Sequence, residues 1–147
     1  MSAAIRLFLC GSLMLGGTIA TPKAADPTAT VGATLPLAAG DAAMLGTWAG
    51  TIAVEGLEEA FDGGYISIER APGDRFRVTV GPEAEVRYEG TRLERTPHGL
   101  RFEVSLPGFE TRLLAYDVTF TNGTMCGSVT FVKHRLTKPG HLDFARQ

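Results

Sequence analysis

Three histidines, two cysteines and a scatter of carboxylates are the side chains of this 147-residue chain with the most chemical potential. Their spacing does not assemble a catalytic set. His134 and His141 flank one turn, seven residues apart, which matches none of the usual zinc-ligand spacings, and His98 is remote from both. A solvated pair at the rim of a fold is the expected role of His134 and His141. Cys126 and Asp117 could join a histidine in nucleophilic catalysis only if the fold gathered them. Asp117 falls on the polar phase of its segment, however, and Cys126 lies beside Asn122-Gly123, away from His134 and His141. No Gly-rich phosphate loop and no carboxylate pair at catalytic spacing stands out. The expectation is a non-enzymatic chain with no metal and no cofactor.

A second group of residues suits binding instead. Leu57 and Phe61, with Glu58 and Glu59 between them, occupy the long segment 56–64, and Phe109 lies in another turn. Arg112, Tyr116 and Lys133 fall in the apolar phase of the segments that carry them, Lys133 if the row through Phe131 continues. Apolar loop tips with inward cations suit an amphipathic anion such as a fatty acid. These six residues, Leu57, Phe61, Phe109, Arg112, Tyr116 and Lys133, form the candidate ligand site.

The elements that must position them read as strands. From residue 47 onward the apolar pattern has period two, as half-buried antiparallel strands require. Ile66 and Ile68 share one face; so do Phe76, Val78 and Val80; Val86 and Tyr88; Leu100, Phe102, Val104 and Leu106. Leu114, Tyr116, Val118 and Phe120 form a further row, and Met125, Gly127, Val129 and Phe131 another. Eight strands are predicted near 47–55, 64–70, 75–81, 84–94, 99–106, 110–120, 123–135 and 140–146. Pro/Gly punctuation separates them, and Asn122-Gly123 is a strong hairpin signal because both residues tolerate positive φ. Short links imply an up-and-down meander. One apolar face per strand implies a single sheet closed on itself, which removes exposed edges. A two-sheet β-sandwich is the alternative.

The first 20 residues read as a secretory signal. Arg6 precedes an apolar run from Leu7 through Leu15, and small residues follow up to Ala20. Thr18 and Ala20 suit the −3 and −1 positions of cleavage; a cut near Ala25 would place Lys23 at −3. The run is too short to span a bilayer, so no integral membrane segment is expected after cleavage. Cys10 sits inside the apolar run, too early for lipid attachment, and would leave with it. Cys126 would then be the sole cysteine, with no internal disulfide. Losing Arg6 and Lys23 leaves 12 of the 14 basic residues against 16 acidic ones, a balance of −4. That balance disfavours nucleic acid or anionic lipid as a partner. Export to the periplasm or the extracellular space is expected, and the preference for Arg and Ala suits a bacterial source. Asn122-Gly123-Thr124 matches a glycosylation site that such a source would leave unused. Residues 21–36 read as a flexible Ala, Thr and Pro leader, and 37–147 as one domain opening on a short helix within 37–45.

Gly46-Thr47-Trp48 at the mouth of the first strand resembles the Gly-x-Trp signature of the lipocalin-like (calycin) barrels. The resemblance covers about residues 37–146 and implies an eight-stranded antiparallel barrel behind a short helix. It also implies a basic residue from the end of the barrel, here Arg146, covering Trp48 at a closed end. The disulfides and flanking helix of larger members are missing, as are the further tryptophans of the biotin-binding relatives. Ligand identity therefore does not carry over. Two functions stay open: binding of a small apolar or amphipathic molecule at the open end, or a filled barrel serving as a protein-interaction or inhibitor module. Calycin-type isomerase or cyclase chemistry is a third, less favoured reading.

Overall fold

The computed structural model describes residues 32–147 apart from 84, 110, 112, 134 and 135. The proposed signal segment lies outside the described residues. The described residues form nine strands in one antiparallel sheet: β1 Thr34–Pro36, β2 Gly46–Val54, β3 Phe61–Ala71, β4 Arg75–Gly81, β5 Tyr88–Arg95, β6 Gly99–Ser105, β7 Leu113–Thr121, β8 Thr124–Lys133 and β9 Leu136–Arg146. Strands β2 to β9 pair in chain order. The sheet closes where β9 meets β2, from Trp48 opposite Arg146 to Val54 opposite Gly140. This is the expected eight-strand meander barrel, and its closure excludes the sandwich.

The inner rows follow the period-two pattern. Ile66, Ile68, Phe76, Val78, Leu100, Phe102, Val104, Val118, Met125, Val129, Leu142 and Phe144 are buried in a single core with Trp48. The charged outer phase forms cross-strand pairs instead, Arg101 with Asp117 at 2.7 Å and Arg77 with Glu69 at 3.3 Å. Such exposed pairs contribute little to stability, so the inner row carries the fold.

Four details depart from the sequence pattern. Val86 is 40% exposed in the β4–β5 link, not inward, because β5 starts only at Tyr88. Within β5 the register shifts between Thr91 and Glu94, where Arg92 has φ +48°, a bulge that turns Leu93 inward after Gly90. The helix expected in 37–45 is a single 3₁₀ turn, Asp41–Ala43, consistent with a helix-breaking glycine at position 40. Cys126, expected to stand alone in the processed chain, is disulfide-bonded in the full chain.

The ninth strand falls in the segment expected to be leader. Strands β4 and β5 pair only through Thr79–Glu89 and Val80–Tyr88, leaving a seam toward the Trp48 end. Strand β1 fills it. Thr34–Pro36 pairs with Arg75–Arg77 on one side, while the Ala33 N–H donates to the Gly90 carbonyl at 3.0 Å on the other. Arg75 fastens β1, donating from Nε to Thr34 Oγ1 and from Nη2 to the Thr34 carbonyl, both at 2.7 Å.

Candidate functional site

The two ends of the barrel differ in kind. At one end lie the start of β2, the β3–β4, β5–β6 and β7–β8 turns, and the end of β9. Here the 3₁₀ turn Asp41–Ala43 lies beside Trp48, and Met44 after it joins the core. Trp48 is 1% exposed, its Nε1–H donates to the Met44 carbonyl at 3.0 Å, and its ring meets Phe120 at 5.3 Å. The Arg146 guanidinium stands 5.6 Å above the indole and donates to the Leu45 carbonyl. Gly46 makes room for it: φ is +134°, and a Cβ there would lie 3.1 Å from Arg146 Nε. Gly46, Trp48 and Arg146 therefore act together as a plug.

A second lock at this end was not readable from the sequence. Asp41 is 5% exposed and takes both Nη atoms of Arg95, one at 2.7 Å, while its Oδ2 also accepts the Ala38 N–H at 2.6 Å. Arg95 donates further to the Pro36 carbonyl at 2.8 Å and covers the Phe76 ring at 5.5 Å. The Arg95 hydrogen bond holds the Asp41 carboxyl below its ordinary pKa of 3.8, against the opposing effect of burial. The two residues are 54 apart in sequence, so no local spacing reveals them.

The other end is open. A cavity of about 290 Å³ enters the barrel there, lined by Ile52, Phe61, Asp62, Val80, Tyr88, Leu106, Phe109, Leu114, Tyr116 and Phe131. Gly63, Gly64, Gly81 and Pro82 complete its wall. Gly64 has φ +72°, and a Cβ there would meet the Gly81 carbonyl oxygen at 2.4 Å, so the wall at Gly64 is bare backbone by necessity. Asp62 holds the bend by accepting the Gly64 N–H at 2.9 Å. Below the cavity the barrel is filled by Trp48, Phe76, Phe102 and Phe144. The volume sits at the lower edge of ordinary ligand sites, roughly 300–1,000 Å³.

The five candidate residues that the structure describes separate between two places. Phe61, Phe109 and Tyr116 line the mouth cavity. Leu57 and Lys133 line a neighbouring recess of about 310 Å³ with Phe61, Phe131, Leu136 and Lys138. Lys133 thus does not enter the mouth cavity, and Arg112 lies outside the described residues. Tyr88, Leu106 and Leu114 are lining residues that had seemed plain inner-row positions; the glycine wall that leaves space beside them is a tertiary feature.

Exposed apolar side chains stand at this rim among the exposed carboxylates Glu58, Glu59 and Glu85. Leu57, Phe61, Val86, Phe109 and Leu136 are 39–65% exposed, and all five stand at the open end. Phe61 tilts against Phe131 at 6.1 Å, and Tyr88 meets Phe109 edge-on at 6.1 Å. Among the described residues, no group of three or more metal-ligating side chains comes together. Asp117 pairs with Arg101, and His98 lies at the closed end, in the turn before β6. Comparison with protein-family models, curated proteins and solved structures gives no match.

Proposed function

We propose that this chain is an exported, non-enzymatic carrier that holds one small, largely apolar molecule in the mouth of its barrel. The observation that carries this reading is the 290 Å³ cavity, open at one end, walled by aliphatic and aromatic side chains and plugged at the other end by Trp48. A barrel serving only as a scaffold has no need of that space, because unfilled apolar volume lowers stability. The Gly46-Thr47-Trp48 resemblance to lipocalin-like barrels supports carriage, and the Arg6-to-Ala20 pattern supports export.

The test is native mass spectrometry of the purified protein, alongside the Leu106→Trp variant. Leu106 is half-buried at the mouth, and an indole there would occupy the cavity. A small-molecule adduct on the wild type that disappears in Leu106→Trp is the expected result. A wild type that carries no adduct and takes up no ethylbenzene refutes carriage. The five exposed apolar tips favour a second reading, a protein-interaction module docking at the open end. Partner binding that survives Leu106→Trp and is lost on Phe109→Ser would select it.

A further inference from the structure

Resting on the carrier reading, one group in the cavity defines the chemistry of what it carries. Tyr116 is 2% exposed, with its ring stacked on Phe102 at 4.8 Å and 14°. It lines the mouth cavity. Among the described residues nothing hydrogen-bonds its hydroxyl, and burial alone raises its pKa above the ordinary 10.0. It is therefore a neutral phenol, able to donate a proton in a hydrogen bond at any physiological pH. No side-chain oxygen or nitrogen among the described residues is both sealed from solvent and unbonded. The Tyr116 hydroxyl must then open on space beside it, and the cavity is the space its residue lines.

The rest of the described lining sets the charge of the guest. It includes one carboxylate, Asp62, and neither lysine nor arginine. An anionic head group would meet Asp62 with no described cation beside it, which disfavours the fatty-acid anion expected from the sequence. The second phenol, Tyr88, is half-buried and set edge-on against Phe109 at the rim. Among the described lining residues, only Tyr116 combines near-complete burial with an unused donor.

We infer that the cavity takes a neutral apolar molecule bearing one oxygen acceptor, such as a ketone, ester or alcohol, bound oxygen-first to Tyr116 Oη. Its hydrocarbon part faces Phe61, Phe109, Phe131 and Leu106 at the mouth.

Acetophenone and ethylbenzene have nearly the same shape and differ by the carbonyl oxygen, so they isolate this contact. Both are titrated calorimetrically into the full chain and its Tyr116→Phe and Tyr88→Phe variants, with benzoate as the anionic comparison. The expected result is tighter binding of acetophenone than of ethylbenzene or benzoate. Tyr116→Phe should weaken acetophenone about fivefold to tenfold, as loss of one neutral hydrogen bond predicts, and leave ethylbenzene unchanged. Tyr88→Phe should not reproduce this selective loss of acetophenone over ethylbenzene. The infrared carbonyl stretch of bound acetophenone needs no variant and should shift to lower frequency. Equal effects of Tyr116→Phe on both ligands, an unshifted carbonyl, or benzoate binding more tightly overturns the inference while carriage stands. Binding of none of the three to the wild type overturns carriage itself.

Discussion

Two residues decide the closed end. Trp48 fills the space under the 3₁₀ turn with its nitrogen satisfied by Met44, so truncation leaves both a cavity and an orphaned carbonyl. Trp48→Ala is expected to cost about 3–5 kcal/mol, measured by denaturant unfolding. A near-neutral effect would contradict the plug. Asp41 acts through charge. Its carboxyl titrates lower folded than unfolded, so it stabilises the barrel above pH 3.8. That stability falls away as the pH drops from about 4 through the depressed folded value. Asp41→Asn should therefore lower stability near neutrality and flatten the acid limb of a stability–pH profile. Arg95 is partly solvent-exposed, so the neutral-pH loss is expected to be modest, about 1–2 kcal/mol.

Most of the barrel strands were legible because they alternate apolar and polar residues, as Leu100 to Ser105 does, whereas β9 alternates only from residue 140 and so read as shorter than Leu136–Arg146. Strand β1 was not legible. Three residues ending in Pro36 give no periodicity, and the reason they pair is a seam left between two distant strands. Val86 misled because alternation continues past the point where β5 stops pairing. The cavity was invisible for a related reason: Gly63, Gly64 and Gly81 read as turn residues, although together they form a wall. The candidate site was half legible, since Tyr116 follows from strand phase and Phe61 and Phe109 from their place in the links of one end, while Lys133 turns toward the neighbouring recess. If β1 closes the seam, Leu35→Ala should cost about 1–2 kcal/mol, below the range for a fully buried leucine. Hydrogen exchange should then accelerate at Arg77 and Gly90, and at Ala115 not at all; uniform acceleration would contradict a local role for β1.

At the scale of the whole molecule, closure joins the last strand, β9, to β2. Strand β9 supplies Leu142 and Phe144 to the core and pairs with both β2 and β8. Deleting residues 136–147 should abolish cooperative unfolding, because an open sheet exposes its apolar row and two edges. A cooperative transition in that deletion would contradict the closed barrel. The same closure gives the molecule its polarity: one end held by Trp48, Arg146 and the Asp41–Arg95 pair, the other opening on the mouth cavity. Carriage at that open end is the central claim, and methyl chemical shifts during titration with acetophenone, ethylbenzene and benzoate in turn test it most directly. Saturable shifts confined to Ile52, Val80, Leu106 and Leu114 are the predicted result; no saturable shift with any of the three, or shifts centred on Met44 and Met125, would contradict it.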